Sequence, residues 1–140
     1  PLRVVLDARL RSLECARVRE GGPPTLYLHD PAVSPPDAAD AEFASVPVQN
    51  GRLDLGAVLA LLAERGINEV HTEAGATLSG ALMAGGWVDE LLLYQAPTLL
   101  GDRGRPLLAG LGIDAMDQQR RMRVVDQRQV GDDLRLLLRP

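Results

Sequence analysis

The stretch VHTEAGATLSGAL, Val70–Leu82, combines a carboxylate and a histidine with a glycine-containing turn. Glu73 ends a predicted strand, and Gly75 follows at the predicted turn into a helix. The first N–H groups of a helix lack intrahelical acceptors and lie at the positive end of its dipole, so they favour a phosphate. The side chains beyond Gly75 are small or carry a hydroxyl: Ala76, Thr77, Ser79, Gly80 and Ala81. Because the pattern is neither a spaced-glycine fingerprint nor a P-loop, an anion site and an ordinary tight turn both remain open.

Two residues of this stretch have acid–base chemistry. His71 and Glu73 are two apart, so they would share one side of a strand and could form an acid–base pair in a cleft. A surface histidine and a carboxylate that only complements the helix dipole are the alternatives. Thr77 could cap the helix or donate its hydroxyl to a phosphate oxygen. The sequence identifies no catalytic residue. It also predicts no metal site, because the two histidines lack HExxH-like spacing and Cys15 stands alone as a passive thiol.

Composition narrows the class of protein. The chain has 140 residues, 46% of them hydrophobic but only 3% aromatic, which predicts one domain with a core of aliphatic side chains. All 15 basic residues are arginine, and the net charge is −4 without a basic block. Lysine Schiff-base chemistry is therefore excluded, and no nucleic-acid partner is predicted. With one cysteine and no apolar run of membrane-spanning length, we expect a cytoplasmic protein without a membrane partner.

The first half of the chain predicts three strands and a helix. Runs of β-branched and apolar residues predict strands over Arg3–Leu6, Thr25–His29 and 44–48. The clearest helix lies between Asp54, a predicted N-cap, and Gly66, a predicted stop. Its apolar residues recur at i, i+3, i+4 and i+7: Leu55, Val58, Leu59 and Leu62.

The second half predicts a strand–helix–strand unit and a hairpin. NEVHTE, 68–73, is predicted as a strand, and Thr77–Ala84 as a helix ended by two glycines. The apolar run Leu91–Tyr94 predicts a central strand, parallel to the first, that is buried on both faces. The tail predicts an antiparallel hairpin that turns near Gly131-Asp132, with alternate leucines on one buried face. The predicted class is α/β.

A longer stretch carries a family resemblance. VHTEAGATLSGALMAGGWVDELLLYQAPTLLGDRGRPLL closely resembles the reductase domain of the bifunctional riboflavin-biosynthesis deaminase/reductase family. That family has V-E-G/A-G-x-T-L-x-G-A, then V-D-E-L-x-x-Y-x-A-P-x-L-L-G. The matching positions are Glu73, Gly75, Thr77, Leu78, Gly80, Ala81, Val88–Leu91, Tyr94, Ala96, Pro97 and Leu99–Gly101. The opening PLRVVLDARLR also resembles the family's P-x-R-V-V-x-D-S/T segment, so the resemblance covers most of the chain.

The resemblance implies a fold and an activity. The fold would be dihydrofolate reductase-like, with three layers, a mostly parallel sheet and an antiparallel C-terminal hairpin. The activity would be NADPH-dependent reduction of 5-amino-6-(5-phosphoribosylamino)uracil to the ribitylamino form, with hydride transfer to C1′ of the opened ribosyl group. The resemblance also suggests a homodimer. Residues 1–140 would be the C-terminal portion of one reductase domain that lacks its N-terminal part, so we expect the isolated chain to be poorly active or inactive.

Site residues follow by the same resemblance. Glu73 matches a carboxylate that contacts the substrate. The turn and first helical residues match the NADPH-binding segment: Gly75, Ala76, Thr77, Leu78, Ser79, Gly80 and Ala81. The resemblance also assigns Asp7, Ala8 and Arg9 to cofactor binding, with Ala8 at the position that meets the adenosine 2′-phosphate. The family has Ser or Thr where Ala8 stands, so Arg9 or Arg11 would have to supply the interaction with the phosphate. The sequence therefore leaves the choice between NADPH and NADH open. Ala74 also stands where the family often has glycine.

Two other functions remain open from the sequence. One is a sister enzyme of the same fold, either another dihydrofolate reductase-like protein or a diaminopyrimidine reductase that acts before deamination. The other is a non-catalytic module for dimerisation, built on Leu91–Tyr94 and the C-terminal hairpin. Loss of Glu73 without an effect on activity would favour the module.

Overall fold

The computed structural model describes residues 1–14, 22, 24–37 and 41–140. The first half of the chain begins with three parallel strands. The strands are β1 (Arg3–Leu6), β2 (Thr25–His29) and β3 (Ala41–Ser45), in the order β1-β2-β3. The chain divides into two compact units, Pro1–Val70 and His71–Pro140. Cys15, predicted to be a passive thiol, lies outside the described residues.

The core of the first unit lies between the parallel sheet and helix α1 (Leu55–Glu64). Six buried residues form it: Leu26, Leu28, Val46, Leu53, Val58 and Leu62. As predicted, Asp54 is the N-cap of α1, since its carboxylate accepts the Ala57 N–H at 3.0 Å. The predicted stop is also confirmed, because Gly66 has φ +77°, a left-handed conformation that follows many helix ends.

Between β3 and α1 the chain makes a two-residue hairpin. Strands β4 (Val48–Gln49) and β5 (Arg52–Leu53) are antiparallel. Asn50 and Gly51 both have positive φ, 52° and 75°, as a tight hairpin turn with right-twisted strands requires. The predicted strand over 44–48 is therefore wrong in extent. It is split at Pro47, which has no N–H to donate to a ladder.

The second unit contains one α-helix, a short 3-10 helix (Met116–Gln118) and an antiparallel sheet. Helix α2 spans Ala76–Ala84, and the sheet contains β6 (Leu91–Gln95), β7 (Arg123–Val130) and β8 (Asp133–Arg139) in the order β6-β8-β7. Strands β7 and β8 form the predicted hairpin, and Gly131 has φ +60° at its turn. With the parallel sheet of the first unit, this arrangement confirms the α/β class.

The predicted strand over 68–73 is wrong. In the part of the chain that the structure describes, this segment belongs to no strand, and the side chains of 68–75 are exposed. A strand forms only where a neighbour completes its hydrogen bonds and one face is buried. Val70 is the segment's only large apolar residue and is 50% exposed, so no apolar face exists to drive pairing. Because this strand does not form, the predicted strand–helix–strand unit is also wrong.

Strand β6 lies at an edge of its sheet rather than at the centre. It pairs on one side with β8, antiparallel, from Leu91 opposite Leu138 to Gln95 opposite Leu134. Leu92 and Tyr94 are 41% and 52% exposed, so the predicted burial of both faces is wrong. The central strand is β8, whose side chains are partly buried on both faces, so the single buried face predicted for it is also wrong.

Candidate functional site

Helix α2 begins at an open turn. Gly75 is its N-cap residue, with φ −70° and ψ 170°, and a Cβ built there would meet no atom within 4 Å. Any residue tolerates this conformation, so neither backbone strain nor a neighbouring atom requires a glycine. The first intrahelical bond runs from the Ser79 N–H to the Gly75 carbonyl, at 3.2 Å. The three N–H groups before Ser79 therefore have no acceptor inside the helix. They follow Gly75, where no neighbouring atom blocks the approach of a ligand, and an anion site requires both properties.

Gly80, in contrast, is needed by the protein itself. It is buried, and a Cβ at this position would overlap the Ala109 carbonyl and lie 2.8 Å from the Ala109 nitrogen. The Ala109 N–H donates to the Ala76 carbonyl at 3.0 Å. The backbone at Ala109 therefore crosses the first turn of α2 at a distance that only glycine allows. This packing gives Gly80 a structural role beside the cofactor-binding role predicted for it.

The other helical residues predicted to bind the cofactor differ in exposure. Thr77 is exposed, whereas Ala76, Leu78, Ser79 and Ala81 are partly buried. The prediction that Thr77 caps the helix is wrong, because Gly75 is the N-cap and no side-chain cap bond is present. The Ser79 hydroxyl donates to the Ala74 carbonyl at 3.2 Å. Of the two hydroxyl residues in this segment, Thr77 is therefore the more exposed.

The opposite end of α2 is held by an arginine. Arg120 Nη1 donates to the Met83 carbonyl at 2.9 Å, and its Nη2 donates to the Ala84 carbonyl at 3.0 Å. Both carbonyls lie in the last turn of α2, where they lack intrahelical donors, and a cation there complements the helix dipole. Arg120 thus fixes the helix whose first turn forms the open site.

Glu73 and His71 are accessible and close to each other. His71 Nε2 lies 3.7 Å from Glu73 Oε1, and the side chains are 72% and 87% exposed. The two residues therefore share a side, as the sequence predicted, although they do not belong to a strand. An exposed pair of this kind adds little to stability. Glu73 is thus free to accept hydrogen bonds from a ligand.

In the first unit, Asp7 folds the loop that follows β1. Its Oδ2 accepts the Ser12 N–H and the Ser12 hydroxyl, both at 2.6 Å, and its Oδ1 accepts the Arg9 N–H at 3.2 Å. Partial burial acts to raise the pKa of Asp7, but the hydrogen bonds outweigh it and hold the pKa below its usual value of 3.8. The carboxylate is therefore charged near neutral pH and is occupied by its own loop.

The neighbours of Asp7 face in different directions. Ala8 is partly buried and packs against the core of the first unit, and its carbonyl accepts the Asp30 N–H at 3.1 Å. Arg9 and Arg11 are exposed. Of the three residues predicted to bind the cofactor here, only Arg9 thus carries an accessible side-chain donor.

Metal-binding clusters and membrane-spanning helices are both absent from the described residues. Within the described ranges, no three His, Cys, Asp or Glu side chains lie close enough together to hold a metal ion. Among the helices of those same ranges, none is long and apolar enough to cross a membrane.

The predicted site residues form two groups. Glu73 and the turn at Gly75 lie together at the start of α2 in the second unit, whereas Asp7, Ala8 and Arg9 lie after β1 in the first. Sequence reasoning missed three residues that support these groups: Ser12, Ala109 and Arg120. No local signal marks Ala109 or Arg120, because each contacts α2 from a distant part of the chain.

Known proteins are similar to this chain in sequence and in fold. The family model described as the RibD C-terminal domain matches residues 1–136. A relative from Methanothermobacter thermautotrophicus, named 2,5-diamino-6-ribosylamino-4(3H)-pyrimidinone 5′-phosphate reductase, is 33% identical over 137 residues. That match covers 96% of this chain and 63% of the relative. A relative from Buchnera aphidicola, named 5-amino-6-(5-phosphoribosylamino)uracil reductase, is 34% identical over 91 residues, 65% of this chain and 44% of its own length.

A solved structure agrees with these matches. The structure of RibD from Acinetobacter baumannii superposes with a TM-score of 0.78 at 31% identity, over 100% of this chain and 37% of that one. The chain thus spans less than two thirds of each of these three proteins. The superposition confirms the fold predicted from the resemblance, a dihydrofolate reductase-like α/β fold. Since the family model also covers nearly all of the sequence, the chain belongs to the RibD C-terminal domain family.

Proposed function

We propose that this chain takes part in the NADPH-dependent reduction of 5-amino-6-(5-phosphoribosylamino)uracil to the ribitylamino product in riboflavin biosynthesis. The proposal rests on the open turn at Gly75. No neighbouring atom requires glycine at this position, and the chain belongs to the RibD C-terminal domain family. The Buchnera relative is named as the reductase of this substrate. In this proposal, residues 1–140 are part of one reductase domain.

The first turn of α2 suits the phosphates of a dinucleotide. Its free N–H groups would donate to phosphate oxygens, and the absent Cβ of Gly75 leaves space for their approach. The exposed hydroxyl of Thr77 would add a side-chain donor. Gly80 would act indirectly, because it lets Ala109 pack against this turn. NADPH, when bound, would supply the hydride.

Glu73 would bind the substrate. Its carboxylate is 87% exposed and lies two residues before the turn, so it would accept hydrogen bonds from hydroxyls of the ribosyl group. Reduction of a C=N bond places a hydride on carbon and a proton on nitrogen. Glu73 would orient the carbon for the hydride, and we assign the proton donor to no residue.

In the first unit, the family resemblance assigns the loop after β1 to cofactor binding. Ala8 lacks the hydroxyl found in the family and packs against the core, so Arg9 would be the accessible donor there. The family resemblance further supports a homodimer in the cytoplasm.

A second candidate function has specific support. The Methanothermobacter relative, of which the match covers the larger share, is named as a reductase of a 2,5-diaminopyrimidinone phosphate. The two substrates differ by an amino group in place of an oxygen on the pyrimidine ring. Comparing the rates on both substrates, with the chain in its natural full-length protein, would separate the two functions.

Titration calorimetry of NADPH into the chain tests the proposal. We expect saturable binding to the wild type, and an affinity at least about tenfold lower for Gly75→Ser. Serine is a better N-cap than most residues, so this variant should fold as stably as the wild type while it fills the open turn and competes for the N–H groups. Ala84→Ser serves as the control, because it adds the same hydroxyl at the opposite end of α2. Equal binding by Gly75→Ser and the wild type, or none by either, would contradict the cofactor site.

A further inference from the structure

The hairpin between β4 and β5 turns on an asparagine followed by a glycine. Asn50 has φ +52° and Gly51 has φ +75°. A two-residue turn that matches right-twisted strands needs positive φ at both positions, and Asn-Gly is a pair that adopts it readily. The sequence contains no other Asn-Gly pair and no Asp-Gly pair. The turn therefore depends on a dipeptide that occurs once in the chain.

An Asn-Gly pair is also chemically labile. Hydroxide removes the Gly51 N–H proton, and the nitrogen then attacks Asn50 Cγ. A C–N bond forms, a five-membered succinimide ring closes, and the side-chain amide nitrogen takes a proton from water and leaves as ammonia. Water opens the ring at either carbonyl and gives aspartate or isoaspartate, so the net change is the exchange of ammonia for water. Glycine favours the attack because it has no Cβ beside the nucleophile.

The atoms that would react are accessible. Asn50 and Gly51 are both exposed, and a Cβ built on Gly51 would meet no atom within 4 Å. Among the described residues, neither the Gly51 N–H nor the Asn50 side chain has a hydrogen-bond partner. No competing contact therefore holds the nucleophile or the amide that it would attack.

Few contacts hold the turn closed, and ring closure requires the backbone to rotate at Asn50. Strands β4 and β5 form a ladder of only two residue pairs, and no third strand joins them within the described ranges. The Asp54 N–H adds one bond, to the Pro47 carbonyl at 2.8 Å. Leu53 at the base of the hairpin is buried, whereas residues 49–52 at its tip are exposed. The tip can therefore open at little cost, without uncovering the core.

We propose that Asn50 is a site of spontaneous covalent modification, at which the folded protein converts asparagine into isoaspartate and aspartate through attack by the Gly51 nitrogen. Both products add a negative charge. In isoaspartate the backbone also runs through Cβ, so the two-residue turn loses its geometry. Gln49 donates to the Asp54 carboxylate that caps α1, so the change lies next to the start of that helix. The modification is independent of the proposed reductase reaction.

Mass spectrometry of tryptic peptides measures the conversion in the wild-type chain, incubated at neutral pH below its unfolding transition. Trypsin cleaves after arginine, so cleavage at Arg52 and Arg65 separates Asn50 from Asn68, the only other asparagine. Asn68 is also exposed but precedes Glu69, so it is the matched control within the same molecule. We expect Asn50 to convert at least about tenfold faster than Asn68, because the residue after it has no Cβ. A sample taken before incubation corrects for conversion during digestion.

The products and the rate test the mechanism and the structural argument separately. Enzymatic methylation of isoaspartyl carboxylates distinguishes isoaspartate from aspartate, and opening of the ring should give both. A synthetic peptide of residues 46–55 gives the rate for an open turn. The folded chain should convert within about tenfold of the peptide, because the short ladder opens readily. Asn50→Gly, which keeps the positive φ and has no amide, should give no product at this position.

Three results would overturn the proposal. Aspartate without isoaspartate would show that no ring forms. Conversion at Asn50 no faster than at Asn68 would show that the glycine gives no advantage. A rate more than about tenfold below that of the peptide would show that the hairpin protects Asn50 in the folded protein. Both products at Asn50, formed at close to the peptide rate while circular dichroism shows a folded chain, would support it.

Discussion

Replacing Gly80 with alanine should destabilise the second unit, although alanine is the better helix former. Helix propensity alone would stabilise α2 by about 1 kcal/mol. The added methyl would overlap the Ala109 carbonyl, so the bond from the Ala109 N–H to the Ala76 carbonyl would be lost, at about 1 kcal/mol. Moving a packed backbone away costs about 1–3 kcal/mol more. The free energy of unfolding should therefore fall by about 1–3 kcal/mol in total.

Urea unfolding followed by tryptophan fluorescence measures this change. Trp87 is the only tryptophan of the chain, and its backbone N–H donates to the Leu82 carbonyl at 3.0 Å, so its fluorescence reports on the end of α2. Gly75→Ala is the matched control in the same helix. It meets no neighbouring atom, so it should lose at most about 1 kcal/mol through poorer capping. A Gly80→Ala chain as stable as the wild type, or more so, would refute the idea that Ala109 constrains α2.

Substitutions at three further positions test other contacts by the same unfolding measurement. Arg120→Ala should lower the free energy of unfolding by about 1–2 kcal/mol, and Arg120→Lys by less because it keeps the charge; equal losses would contradict the two-carbonyl contact. Because hydrogen bonds lower the folded-state pKa of Asp7, its stabilisation should be present above pH 3.8 and lost as the pH falls through that lowered pKa. The loss of unfolding free energy in Asp7→Asn should thus be largest near neutral pH. A loss of the same size at all pH values would contradict a stabilising role of the charged carboxylate. His71→Gln should change the unfolding free energy by under about 0.5 kcal/mol, since its pair with Glu73 is exposed, and a larger loss would reveal a contact beyond that pair.

Features set by local sequence were predicted correctly. Helix α1 has an apolar stripe, an aspartate that caps it and a glycine that ends it, and all three act within a few residues of one another. The C-terminal hairpin is local in the same sense, because its turn at Gly131-Asp132 joins strands that pair with each other.

Features that depend on pairing partners were predicted less well. The segment 68–73 alternates like a strand, but alternation cannot tell whether a neighbouring strand is present to accept its hydrogen bonds. The run Leu91–Tyr94 is apolar enough for a central strand, yet it pairs with β8 alone and exposes Leu92 and Tyr94. In both cases the sequence does not show which distant segment pairs with the predicted strand.

The candidate site divides in the same way. The turn at Gly75 was located from its own residues, and the helix begins one residue earlier than predicted, at Ala76. The structural reason for Gly80 depends on Ala109, and the restraint on the end of α2 depends on Arg120. Both lie well beyond the helix in the sequence, so no periodicity or motif within α2 could indicate them.

The two restraints on α2 come from one stretch of chain, residues 109–120 between β6 and β7. Ala109 holds the first turn of the helix, and Arg120 holds the last. A ligand at the start of α2 would therefore meet donors that are already immobilised, and little conformational entropy would be lost on binding. Affinity at such a preorganised site can be tuned from a distance. A change in the connecting stretch that loosens either restraint would raise the entropic cost of binding without altering any residue that touches the ligand.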